Sequence, residues 1–272
     1  MISTILFSSA GLITLLCAAI VWRDASQSPS ERGNSANTIV GLMAVTIAMN
    51  IWAIHLIELV TSEGINFTLA TGAAVSTLIV QCIYTFGVIR HGIKGLGLFL
   101  LPATAIPLFL VPILPEAHTP NWVHTTSLLE TSHLLLSLTS YAVLTLAAIH
   151  ALMQILLDRA LKKKRMSKMI QALPSLVSIE RHMMSQVKVS SILIALSILT
   201  GLVWQWVEYH HFAILNHKVL LAIFTLVVLI TLIIKRQRAS WPTRLASRAV
   251  LTAYTLLLLA YFGVKLITSW VN

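Results

Sequence analysis

The run Glu130-Thr-Ser132-His133-Leu-Leu-Leu-Ser137-Leu-Thr-Ser140-Tyr141-Ala-Val-Leu144 decides how this chain is read. It lies within a stretch from Asn121 to Leu157 that opens in a segment without Lys or Arg. The stretch then turns apolar and ends against Asp158 and the cluster Lys162-Lys163-Lys164-Arg165. Glu130 and His133 are three residues apart, so a helix carries them on one side of a turn, and Ser137, Ser140 and Tyr141 continue that stripe. Hydrocarbon cannot solvate a polar stripe, so the stripe must face protein or a cavity. His133 is therefore the leading candidate for a functional residue.

Outward from this stretch, composition fixes the class. Hydrophobic residues make up 57% of the 272 residues and charged residues only 10%, with a mean hydropathy of +0.86. A soluble chain of this size could not hide so much apolar surface, and the reading is an all-α polytopic membrane protein. The formal net charge of +10 does not point to nucleic acid, because the charges sit in short loops between apolar runs. Cys17 and Cys82 fall in separate runs with no Cys-x-x-Cys, which argues against a thiol-redox role for the chain.

Eight apolar runs are long enough to span, at 4–22, 37–60, 68–89, 96–115, 126–157, 189–208, 219–234 and 246–268. They predict a bundle of eight transmembrane helices forming a single domain over 1–272. The first run lacks a basic flank and a cleavage site, so it reads as a helix and not as a signal peptide. Alternate loops hold 17 and 2 of the Lys and Arg residues, the two being Lys218 and Lys265. The positive-inside rule then puts both termini outside the cytoplasm and the basic loops inside. The stretch from Asp158 to Lys188 is the largest cytoplasmic feature. Its cluster anchors topology and meets anionic lipid headgroups, and it offers a docking site for other membrane proteins. Pro174 punctuates it, and Ser175 or Ser178 is placed to cap the next helix.

This orientation sorts the ten histidines. His91 and His182 are cytoplasmic, and His150 lies in the inner part of the fifth span. His55, His118, His124, His133, His210, His211 and His217 are outer, together with Glu58, Glu63, Glu116, Glu130 and Glu208 and with Trp122, Trp204 and Trp206. His55 and His133 differ from the loop histidines because they sit within apolar runs. Two chemistries fit. One is haem handling, with imidazole as axial ligand and indole or phenol rings, such as Trp204, Trp206 and Tyr141, as a surface for the macrocycle. The other is a divalent metal site from His55, Glu58, Glu130 and His133, whose i, i+3 spacings are those by which bundles hold metals. Hydrolytic motifs and phosphate-binding glycine loops are missing from the sequence.

Several motifs together carry a family resemblance. The run from Ser132 resembles the His-x₆-Ser-Tyr-Ala helix of the cytochrome c assembly family, the CcsA/CcmC/ResC group, and is most similar to its smaller YpjD/HemX-like branch. Pro174-Ser-Leu-Val-Ser178-Ile-Glu180-Arg181, Thr200-Gly201-Leu202 and Ala260-Tyr261-Phe262-Gly263-Val264 match that branch as well. The resemblance implies haem handling at the outer face beside cytochrome c maturation, with His133 as an outer axial ligand. Trp204-Gln205-Trp206 and Asn216-His217-Lys218 stand where the family has its Trp-rich loop, without the full Trp-x-Trp-Asp-Pro pattern. No match to the family's second outer histidine follows the last span, and Arg236, which cannot ligate iron, stands where the family has an inner histidine. Haem is then five-coordinate or takes a local substitute, of which His55 is favoured by depth, and Lys218 is the basic residue available to its propionates.

The sequence thus reads as a haem binder and chaperone without catalytic residues. The alternative is a divalent-metal transport component or accessory subunit. A third reading is a structural partner acting through the basic loop 158–188, in cytochrome c maturation or metal homeostasis. A reporter active only outside the cytoplasm should be active when fused at Asn272 and silent when fused near Lys164, and the reverse pattern would overturn the outer-face assignment.

Overall fold

A computed structural model of the chain describes residues 2–27, 35–61, 64–66, 68–92, 94–114, 122–123, 128–164, 170, 173–210, 217–238 and 241–260. Among these, eight α-helices occur: α1 (Ile2–Ser26), α2 (Ser35–Leu56), α3 (Leu69–His91), α4 (Gly97–Leu110), α5 (Leu128–Lys162), α6 (Leu176–Tyr209), α7 (His217–Arg238) and α8 (Thr243–Leu258). Six of them, α1, α2, α3, α5, α6 and α7, are long and apolar enough to cross a membrane. The segment Gly97–Ile113 is a shorter apolar helix, with Pro102 and Pro107 inside α4. Helix α8 has 16 residues up to Leu258, and the rest of the eighth apolar run lies outside the described residues.

The helices start and stop where local chemistry dictates. Thr68 and Thr71 form a reciprocal capping box at the start of α3, and Gly92 ends that helix in the left-handed region at φ 63°. Ser175 directly precedes α6, whereas Ser178 lies inside its first turn. Helix α6 begins well before its apolar run because Ile179, Met183 and Val187, at i, i+4 and i+8, give its first turns a buried face.

Two compact units make up the chain, Met1–His124 with Leu156–Leu176, and Thr125–Ile155 with Val177–Asn272. In the first, α1, α2, α3 and α4 bury Phe7, Ala10, Ala53, Ala70, Ala74 and Leu108. A short antiparallel sheet follows α2, with β1 (Val60–Thr61) pairing β2 (Gly64–Asn66) and β2 pairing β3 (Trp122–Val123). Gln81 donates to Thr14 Oγ1, and Asn50 donates to Gln81 Oε1, each over 3.4 Å. In this way α1, α2 and α3 share one buried polar layer.

The second unit packs α5, α6, α7 and α8 around Leu144, Ala147, Ala151, Met183, Val187, Ile194, Leu229, Val250 and Ala253. Helix α6 shows both of its environments. Ser190, Ser191, Ile194, Ser197 and Gly201 are buried, while Val189, Ile192, Leu196, Leu199 and Val203 are exposed. An apolar outer stripe over a small-residue inner face is what lipid on one side and a helix on the other require.

Glu180 ties this unit together at one end. Its carboxylate pairs with the Arg236 guanidinium and accepts from Thr243 Oγ1 at 3.2 Å and from Gln154 Nε2 at 3.5 Å. Gln154 Oε1 in turn accepts from Ser247 Oγ at 2.6 Å, and Arg236 also donates to the Trp241 carbonyl. Four helices therefore converge on one carboxylate whose side chain is only 16% exposed. Removing one partner of a buried pair strands the other charge, so Glu180→Ala should cost about 3 kcal/mol. The exposed i, i+4 pair Asp158–Lys162 should contribute only about 0.3 kcal/mol. Thermal unfolding in detergent followed by helical circular dichroism should therefore show a large drop for Glu180→Ala and almost none for Lys162→Ala.

Candidate functional site

The site grows from one register between α5 and α6. Helix α5 supplies His133, Ser137, Ser140 and Tyr141. Helix α6 supplies Ser197, Gly201 and Trp204, at i, i+4 and i+7 and so on one stripe. His133 Nδ1 lies 2.7 Å from the Ser197 backbone carbonyl. A carbonyl only accepts, so Nδ1 carries the hydrogen and Nε2 keeps the lone pair. The Ser197 hydroxyl is 3.3 Å from the same Nδ1 and 2.7 Å from Ser137 Oγ. Ser137 donates to the His133 carbonyl at 2.7 Å and therefore accepts from Ser197. Thr200 adds a donor to the Ser197 carbonyl at 3.1 Å.

Gly201 makes this approach possible. A Cβ at Gly201 would stand 2.8 Å from His133 Nδ1 and 2.9 Å from Cε1, inside van der Waals contact. The imidazole thus occupies the space that a side chain on α6 would fill. Neither Ser197 nor Gly201 stands out in the sequence as a partner of His133. The available signals were the Thr200-Gly201-Leu202 motif and the small-residue face of α6.

The remaining sequence candidates fall in different settings. Trp204 is half-buried on the same α6 stripe, edge-on to Tyr209 with ring centroids 5.8 Å apart. Trp206 is exposed and edge-on to His210 at 6.3 Å. Tyr141 donates its hydroxyl to the Leu257 carbonyl on α8 at 2.9 Å, which makes it a strut between helices. Lys218 is exposed in the first turn of α7, and Glu130 is partly exposed in the first turn of α5. His55 and Glu58 belong to the first unit and are both exposed. Glu58 there adopts φ 52° and donates its N–H to the His55 carbonyl, closing the end of α2. Among the described residues no three His, Cys, Asp or Glu side chains gather as metal ligands. His118, His124, His211, Glu63 and Glu116 lie outside the described residues, as does the side chain of Trp122.

The Gly201–His133 contact can be tested by a double-mutant cycle. Gly201→Ala should destabilise the protein by about 1–3 kcal/mol through overpacking and should be almost neutral in a His133→Ala background. Equal costs in the two backgrounds, measured by thermal unfolding in detergent, would contradict this packing.

Comparison with known proteins places this arrangement. A protein from Azospirillum brasilense, described as an uncharacterized 28.8 kDa protein in the nifR3-like 5' region, is 35% identical over 137 residues, 50% of this chain and 51% of that protein. Inner membrane protein YpjD of Escherichia coli K12 is 28% identical over 215 residues, 77% of this chain and 78% of its own length. Protein HemX of Brevibacillus brevis is 28% identical over 138 residues, 51% of each chain. The match thus spans about half the length of the first and third relatives and over three quarters of the second. The Cytochrome C assembly protein family matches residues 39–271, a range that includes both His133 and its α6 partners, and this multi-pass membrane chain belongs to that family.

Proposed function

We propose that this chain binds haem at the outer face of a bacterial inner membrane and holds it for cytochrome c assembly, with His133 as principal axial ligand. The observation that carries the reading is the anchoring of His133, whose Nδ1 lies 2.7 Å from the Ser197 carbonyl. Its N–H is committed to the Ser197 carbonyl, which orients the ring and leaves Nε2 as a ready donor to iron. A second-shell carbonyl of this kind is the usual companion of a ligating histidine. Family membership supports a haem-related role in general, and the YpjD relative is named as an inner membrane protein.

In this reading all eight helices cross the membrane, with the basic loops inside, so the start of α5 lies near the outer surface. Haem would be the cargo, held through its iron by His133. Ser197 and Ser137 hold the imidazole, and Gly201 clears the space for it. Trp204, on the same stripe, offers an aromatic edge to the macrocycle, and Lys218 offers a cation to the propionates. The covalent attachment step would need reduced thiols from partners, since Cys17 and Cys82 form no Cys-x-x-Cys pair.

Purified protein titrated with haem should develop a saturable Soret band. His133→Ala should abolish it, and added imidazole should restore it by filling the vacated ligand position, whereas His91→Ala should leave it intact. Unsaturable haem uptake by the natural protein, or unchanged binding by His133→Ala, would overturn the assignment.

A further inference from the structure

A second constellation lies in the same unit, at the end that carries Arg181, Lys235, Arg236 and Arg238, and the haem reading does not use it. Two helices carry the same His-x-x-x-Gln spacing, His150-Ala-Leu-Met-Gln154 on α5 and His182-Met-Met-Ser-Gln186 on α6. The i, i+4 spacing puts each pair on one helix face. The structure brings His150 and His182 together, with ring centroids 6.0 Å apart and planes tilted by 34°. His150 is only 4% exposed, in a helix segment with Ala147 and Ala151 opposite Met183 and Val187 in the apolar core. His182 is partly exposed and gives access.

The protonation pattern leaves a gap. His150 Nδ1 lies 2.8 Å from the Leu146 carbonyl, so Nδ1 carries the hydrogen and Nε2 is a bare acceptor. The Gln186 side chain is within hydrogen-bonding reach of the same ring, and its buried Oε1 has no other partner. A neutral imidazole with its hydrogen on Nδ1 has nothing to donate to that oxygen, so two lone pairs meet in apolar surroundings. Buried polar atoms without a partner are costly, and an electropositive guest between them removes the cost.

We propose that His150 Nε2, His182 and Gln186 Oε1 form a binding site for a divalent transition-metal ion, distinct from the His133 site. Zinc–imidazole bonds are about 2.0–2.1 Å, which puts ring centres about 3.2 Å from the ion and two ligating rings about 5.2 Å apart in a tetrahedral site. The observed separation of 6.0 Å is about 0.8 Å wider, and small side-chain rotations on binding would close it. The Leu146 carbonyl orients His150 as a second-shell group should. Two imidazoles and one amide oxygen select Zn²⁺, Co²⁺, Ni²⁺ or Cu²⁺ over Mg²⁺ and Ca²⁺. Two histidines alone fall short of a three-residue His, Cys, Asp or Glu set, and the amide completes it.

The test uses the full-length protein, with any affinity tag removed, titrated in detergent with Co²⁺ and followed by its visible d–d absorption, with Zn²⁺ in competition. One equivalent of Co²⁺ should bind and give bands that Zn²⁺ displaces and Mg²⁺ does not. His182→Ala and His150→Ala should each weaken binding at least tenfold, Gln186→Leu should weaken it as well, and His91→Ala should not. His182 is partly exposed, so its variant should keep wild-type helical circular dichroism even if His150→Ala does not fold. Absence of saturable one-to-one binding would overturn the site. It would mean that a reoriented Gln186 amide, or a hydrogen bond from His182, satisfies His150 without a metal. Binding unchanged in the His150→Ala/His182→Ala double variant would overturn it too.

Discussion

An imidazole within an apolar helix must satisfy its N–H inside the protein, and the hydrogen bond from His133 Nδ1 to the Ser197 carbonyl is how this chain does it. The other features of the site follow from that bond. It sets the register of α5 against α6, demands glycine at position 201 and explains the small-residue face of α6. It also orients the ring, because a histidine anchored through Nδ1 presents Nε2. The serine pair Ser137–Ser197 closes the local network, so the ring is held by both helices. An alanine at 201 would exclude the imidazole sterically while changing polarity hardly at all.

The second unit repeats this logic at its other end with charge. Glu180 gathers Gln154, Arg236 and Thr243, so α5, α6, α7 and α8 are fastened by polar contacts at this end of the apolar middle, and α5 and α6 also at the other. Lipid gives helices little reason to associate through apolar surface alone, and such polar fastenings supply specificity. The Pro-x-Leu-x-Ser-Ile-Glu-Arg motif gains a physical meaning here, since its glutamate is the hub. Arg236 is the partner of that hub.

Much of the architecture was legible because long apolar runs have few alternatives. The runs at 4–22, 68–89 and 219–234 lie within or close to α1, α3 and α7, and the 126–157 run became α5 with a polar extension to Lys162. The sixth run, read as 189–208, missed the first turns of α6. Glu180, Arg181 and Lys188 lower the hydropathy there, and only the spacing of Ile179, Met183 and Val187 reveals the buried face. The three-stranded sheet was invisible, since strands of two and three residues carry no periodicity. His133 was legible as a polar residue in an apolar helix. Its partner Ser197 was not, because contacts between residues distant in sequence leave no local trace. The same reason hid the meeting of His150 with His182. Tyr141, read as a ring for the macrocycle, directs its hydroxyl to the backbone of α8.

The tautomer of His133 is the claim on which the account turns, and nitrogen NMR reads it directly. Protein labelled with ¹⁵N-histidine in detergent, with the His133 signals assigned by difference against His133→Gln, should show a neutral ring protonated at Nδ1 and bare at Nε2. Adding haem should perturb the Nε2 resonance while Nδ1 keeps its proton. A ring protonated at Nε2, or one exchanging freely between tautomers, would contradict the anchored-ligand account.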